Sequence, residues 1–173
     1  MTKTFAIIFL GLGMWLPQEF SKRAVQKMNK EISSFFETST FQLESDNQAL
    51  HLATSNFMVN YEWNKITSAG KLLGYVLLAE APSKTDTFEY LLFFDTNLQM
   101  TQAKVLTYRE DYGSEIGNKR WLAQFLKPEK ELPLAVGQNI SAISGATISV
   151  YSMTQSINYF LTHLENIKPT LLQ

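Results

Sequence analysis

The sequence contains no cysteine. That absence excludes disulfides, iron–sulfur clusters, cysteine zinc sites and c-type haem attachment. It also excludes a lipoprotein anchor, which needs an N-terminal cysteine. Histidine is scarce: His51 and His163 are the only two, too few for a histidine-rich metal centre. Neither sign of charge dominates, since 15 Lys and Arg stand against 16 Asp and Glu for a formal net charge of -1. Without a basic excess or a long basic cluster, nothing favours nucleic acid. There is no internal repeat and no low-complexity linker. No acid–base pair or activated nucleophile stands out, which favours a carrier over an enzyme with its own substrate.

What is present is an ordinary globular composition, 45% hydrophobic and 18% charged over 173 residues, enough for one domain with a core. Residues 1–20 stand apart. Lys3 is followed by an uncharged apolar run, Phe5 to Leu16, that Pro17 ends. This is a short charged start and an h-region of signal-peptide length, shorter than the ~20 residues that span a bilayer comfortably. Gly11 and Gly13 offer only a poor cleavage site. The expectation is a signal peptide or N-terminal hydrophobic segment. It implies an exported protein, periplasmic or on the outer face of the cytoplasmic membrane, and membrane-associated if the segment is retained. The competing reading is a buried N-terminal helix.

Residues 21–173 read as a single domain. Val25, Met28, Ile32 and Phe35 recur at helical spacing over Ser21 to Glu37, opposite Lys22, Lys27 and Lys30, with Ser21 as N-cap. A short strand and a loop are expected over Phe41 to Thr54. Phe57, Val59, Tyr61 and Trp63 then alternate as in a strand. Apolar runs follow at Leu72 to Ala79 and Phe88 to Phe94, and a fourth strand carries Ala103, Val105 and Thr107. The turns are Ser68 to Lys71, Pro82 to Asp86 and Asp95 to Asn97. Short connections predict an antiparallel sheet of about four or more strands, packed with an N-terminal and a C-terminal helix: class α+β. Asn118 is placed to cap a short helix holding Trp121, Leu122 and Phe125, and a loop is expected over Lys127 to Leu134.

The C-terminal helix has an apolar face made by Val150, Met153, Ile157, Phe160, Leu161 and Leu164, about four turns. Ser144-Gly145-Ala146-Thr147-Ile148-Ser149 therefore lies at a helix start, where free N–H groups and the helix dipole favour a phosphate. Gly145 lets the backbone come close, and Ser144, Thr147 and Ser149 offer hydroxyls. A plain Ser or Thr N-cap is the competing account of the same residues.

Those six residues resemble the signature of the FMN-binding domain found in the covalent flavin subunits of Rnf-type and sodium-pumping respiratory complexes, and in stand-alone exported flavoproteins. Gly74-Tyr75, Tyr108-Arg109-Glu110 with Gly113, and Trp121-Leu122-Ala123-Gln124-Phe125 follow the family's order, so the likeness runs roughly over residues 57–164. The resemblance implies FMN as cofactor, esterified through its phosphate to Thr147 by a separate flavin transferase. It makes Ser144 to Ser149 the cofactor-binding segment. Arg109, Glu110, Tyr112 and Gly113 are candidates for a second flavin-facing loop. There Tyr112 is the candidate to stack on the isoalloxazine and Arg109 to stabilise reduced flavin or the phosphate, against a surface-loop or packing role. One departure is Ser141, where the family has an aspartate belonging to the pattern that the transferase reads. A neutral residue there does not weaken simple FMN binding.

The resulting expectation is an FMN-carrying electron-transfer protein with redox partner proteins. The alternatives are a non-covalent FMN-dependent reductase and a flavin-free domain serving protein contacts.

Overall fold

The computed structural model describes residues 19–46, 50, 52, 55–126 and 133–171. The expected signal segment therefore lies outside the described residues but for Glu19 and Phe20, as does most of the Lys127 to Leu134 loop.

Helix α1 (Lys22–Phe35) starts where the Ser21 side chain accepts the Ala24 N–H at 3.1 Å. Ala24, Met28 and Ile32, four apart, are its buried face. It ends as Glu37 takes φ 51°. Five strands then form one meander in chain order, every neighbour antiparallel: β1 (Gln42–Ser45), β2 (Asn60–Ser68), β3 (Lys71–Pro82), β4 (Thr87–Phe94) and β5 (Met100–Thr107). The turns follow their chemistry. Ala69 and Gly70, at φ 50° and 75°, make the two-residue β2–β3 turn. The Asp95 carboxylate accepts the Asn97 and Gln99 N–H groups at 2.8 and 2.9 Å.

Helix α2 (Lys119–Leu122) is a single turn, its Arg120 N–H donated to the Asn118 side chain. Helix α3 (Thr147–Leu171) closes the fold. At 25 residues it runs about seven turns, not four. Its apolar face continues through partly buried Ile167 and Leu171.

The sheet is covered on both faces, which is why β3 and β4 read as near-continuous apolar runs. On one face Trp63, Leu77, Tyr90, Leu92 and Phe94 pack with Val150, Met153, Ile157, Phe160 and Leu164 of α3. On the other, Ile66, Val76, Leu78, Leu91 and Phe93 meet Met28 and Ile32 of α1. Trp63 stacks on Tyr75 at 5.2 Å and meets Phe160 at 5.4 Å. The alternation from Phe57 to Trp63 is strand only from Asn60. Before it, Ser55 and Met58 pair in a tight turn, with the Ser55 hydroxyl accepting the Met58 N–H at 3.1 Å. No helix among the described residues is long and apolar enough to cross a membrane.

Candidate functional site

The start of α3 is unusual in what it lacks. Its N-cap is Ala146, whose carbonyl accepts the first helical bond, from the Val150 N–H at 2.9 Å. Alanine is among the poorest N-caps because it has no side-chain acceptor. The N–H groups of Thr147, Ile148 and Ser149 have no preceding carbonyl in helical register. Among the described residues no side chain takes them either, Ser144 included. Ser144, Gly145, Thr147 and Ile148 are exposed, while Ala146 and Ser149 are buried.

Ser149 does not offer its hydroxyl outward. It lies 3.0 Å from the Tyr108 hydroxyl at the end of β5. One turn on, the Ser152 hydroxyl donates to the Pro82 carbonyl at 2.6 Å. A further turn on, Ser156 meets the Tyr90 hydroxyl at 2.5 Å, and burial raises the Tyr90 pKa. Three hydroxyls at helical spacing thus key α3 to the ends of β3 and β5 and to the middle of β4. They hold its first turn rigidly in place.

The expected second loop is brought to this start in part. Gly113 has φ 77°, and a Cβ there would lie 2.4 Å from the Ala146 Cβ. Gly145 has φ 79°, and a Cβ there would lie 3.0 Å from the Tyr112 Cβ. Tyr112-Gly113 therefore leans directly on Gly145-Ala146; Gly113 needs glycine for space, and both positions need it for backbone angle.

Arg109 and Glu110 are used otherwise. The Glu110 carboxylate accepts from the Ser83 hydroxyl and the Thr85 N–H, both at 2.6 Å, and from the Thr85 hydroxyl at 2.9 Å. The Ser83 bond leads in holding its pKa down at about 2. The Arg109 guanidinium donates to Glu89 at 2.6 Å and to the Thr87 carbonyl at 2.7 Å. The Glu89 bond raises its pKa further. Both charged groups pin the β3–β4 connection, Glu110 through Ser83 and Thr85 and Arg109 through Thr87 and Glu89. These partnerships span 20 to 27 residues of chain and have no local signal.

At Ser141, which leads into the motif, the Trp121 indole N–H donates to the backbone carbonyl at 2.8 Å. The Gln124 side-chain carbonyl accepts the Ser141 N–H at 2.9 Å and its hydroxyl at 2.8 Å. These two residues fix the strand of chain entering the motif. A groove of about 480 Å³ runs beside it, lined by Glu115, Asn118, Arg120, Trp121, Gln124 and Ser141. Among the described residues no group of His, Asp and Glu could hold a metal.

An orphaned helix start, framed by two glycine contacts, offers N–H donors of the kind that suit a phosphate-bearing ligand. Residues 84–162 match the family model of the FMN-binding domain. That stretch is similar to FMN-binding domains, and the match implies FMN as cofactor. A comparison with curated proteins finds no match. The match begins in the β3–β4 connection and ends inside α3. It thus contains the Tyr112-Gly113 loop, Trp121, Gln124 and the whole Ser144 to Ser149 segment. The residues present fit the group: three uncommitted N–H donors suit a phosphate, and the exposed Thr147 hydroxyl stands at the same turn.

Proposed function

We propose that the protein is an electron-transfer flavoprotein whose FMN is esterified through its phosphate to Thr147. The observation that carries this reading is the uncapped start of α3, with Thr147 exposed as its first residue. FMN, once bound, supplies the redox chemistry, and the chain supplies position and access. The N–H groups of Thr147 to Ser149 orient the phosphate oxygens, and the helix dipole lowers the cost of their charge. A threonine hydroxyl is a weak nucleophile without a base, and the motif holds no charged side chain to act as one. A separate flavin transferase is therefore the partner that forms the bond. The Thr147 oxygen takes the phosphorus of an activated flavin phosphate, its proton is released, and the activating group leaves.

The apolar run Phe5 to Leu16 supports export to the periplasmic side, where redox partner proteins would exchange electrons with the flavin. Ser141 supports a second reading, FMN held without the ester, because the aspartate of the transferase pattern is missing there.

Intact-mass analysis after co-expression with a flavin transferase separates the two. The ester adds the mass of one FMN less one water and survives denaturation; Thr147→Ala abolishes it while leaving the melting temperature near that of the parent. Denatured protein with neither mass shift nor flavin fluorescence refutes the ester. Failure to bind FMN in equilibrium dialysis refutes the non-covalent reading, and both readings fall if the mass shift is absent as well.

A further inference from the structure

Five large apolar side chains are exposed among the described residues: Val59, Tyr112, Leu126, Ile148 and Tyr151. Three of these five gather at the start of α3. Tyr112 is 76% exposed, Ile148 51% and Tyr151 49%. Elsewhere the large apolar residues in the first half of α3 turn inward, as Val150, Met153, Ile157 and Phe160 do. Ile148 and Tyr151 on α3 and Tyr112 against Gly145 thus put exposed apolar side chains around the motif, the kind of surface at which ligands bind.

Tyr151 follows Thr147 by four residues and Ile148 by three, so the three share one helix face. Helical side chains lean toward the N-terminus, so the Tyr151 ring covers the turn that carries Thr147. Nothing among the described residues stacks on that ring. Tyr112 lies at the other end of the turn, against Gly145.

This inference rests on FMN binding at Thr147. The phosphate of FMN is joined to its flat ring by a five-carbon chain, long enough to cover the ~5.4 Å of one helical turn. We propose that the isoalloxazine lies back along α3, one face on Tyr151 and an edge on Ile148. Its other face stays open to a redox partner. Tyr151 is then a flavin-contacting residue, and the Tyr112 loop frames the phosphate end only.

FMN titration of the full chain, followed by flavin fluorescence, tests this. A tyrosine stacked on a flavin quenches its emission. Wild-type protein quenches bound FMN; Tyr151→Ala restores emission and weakens non-covalent binding by about 2- to 10-fold. Tyr151→Trp keeps both the quenching and the affinity, and Tyr112→Ala changes the quenching little. Circular dichroism of Tyr151→Ala matches that of the parent, because the side chain is half exposed. Bound FMN with emission unchanged by Tyr151→Ala, or restored only by Tyr112→Ala, overturns the placement while FMN binding stands. Wild-type protein that takes up no flavin, either as free FMN or on co-expression with a flavin transferase, overturns the placement and the FMN reading together.

Discussion

Gly113→Ala probes the contact on which the site is built. The new Cβ would meet the Ala146 Cβ at 2.4 Å, where carbon atoms rest at about 3.5–4.0 Å. Neither partner is a flexible side-chain end, so relief requires the 112–113 backbone to move away from the motif. Forced overpacking of this kind costs about 1–3 kcal/mol. The positive φ of 77° adds about 1–2 kcal/mol for any residue with a Cβ. The expected loss is about 2–5 kcal/mol, a large part of the total stability of a small domain. Gly70→Ala is the control, because Gly70 has φ 75° but open space around it. It should lose only the backbone part, about 1–2 kcal/mol. Urea unfolding of the two variants with equal m-values gives the difference, expected at about 1–3 kcal/mol. FMN affinity should fall in Gly113→Ala and hold in Gly70→Ala. Equal destabilisation by the two substitutions would refute the close approach of the loop to the motif.

Two further predictions concern the charged residues after β5. Arg109→Met removes the cation from Glu89, which is 6% exposed and has one carboxylate oxygen without a hydrogen bond. The Arg109 side is open to solvent, so the expected cost is about 1–3 kcal/mol, less than for a fully buried pair. Adding Glu89→Gln should recover about 1 kcal/mol or more; strictly additive losses in denaturant unfolding would sink this account. Glu110 has its pKa lowered from 4.5 to about 2. Its contribution is therefore fully present above pH 4.5 and is lost as pH falls toward about 2. The melting-temperature gap between the parent and Glu110→Gln should be widest near neutrality and close across that window. A gap that widens on acidification would contradict the three hydrogen bonds at its carboxylate.

Much of the fold was legible where local chemistry and burial agree. Ser21 caps α1 and Met28 and Ile32 bury its stripe, as the spacing predicts. The Asp95 turn and the Asn118 cap also follow from single side chains. Reading failed where a distant partner decides. The alternation through Phe57 suggests strand, yet the Ser55–Met58 bridge turns the chain there. Ser149 reads as an outward hydroxyl, yet it turns to the Tyr108 hydroxyl, and Ser152 and Ser156 likewise bind Pro82 and Tyr90. Small hydroxyl side chains let helix and sheet approach closely and still satisfy buried oxygens. Arg109 and Glu110 look available in a charged loop, but their partners lie on the preceding hairpin. The motif itself was legible because a glycine before a helix start is a local signal. Tyr151 was not, because an exposed aromatic acquires meaning only beside the turn it covers.

The alanine at the N-cap connects packing to function. A serine or aspartate there would stabilise the helix by about 0.5–2 kcal/mol, so the free protein forgoes that much at its most important turn. The geometry explains why. The Ala146 side chain is 2% exposed and sits against Gly113, where even one additional Cβ on the opposite backbone would collide. A longer capping side chain would push the loop off and disturb the start of α3. The packing that fixes the turn thus also prevents the chain from capping itself, and the N–H groups stay available. A phosphate bound there would replace the missing cap, and on the proposed reading flavin binding and helix stability would be one linked equilibrium. The FMN-loaded protein should melt higher than the free chain, and the gain should shrink when Gly145 or Gly113 is replaced.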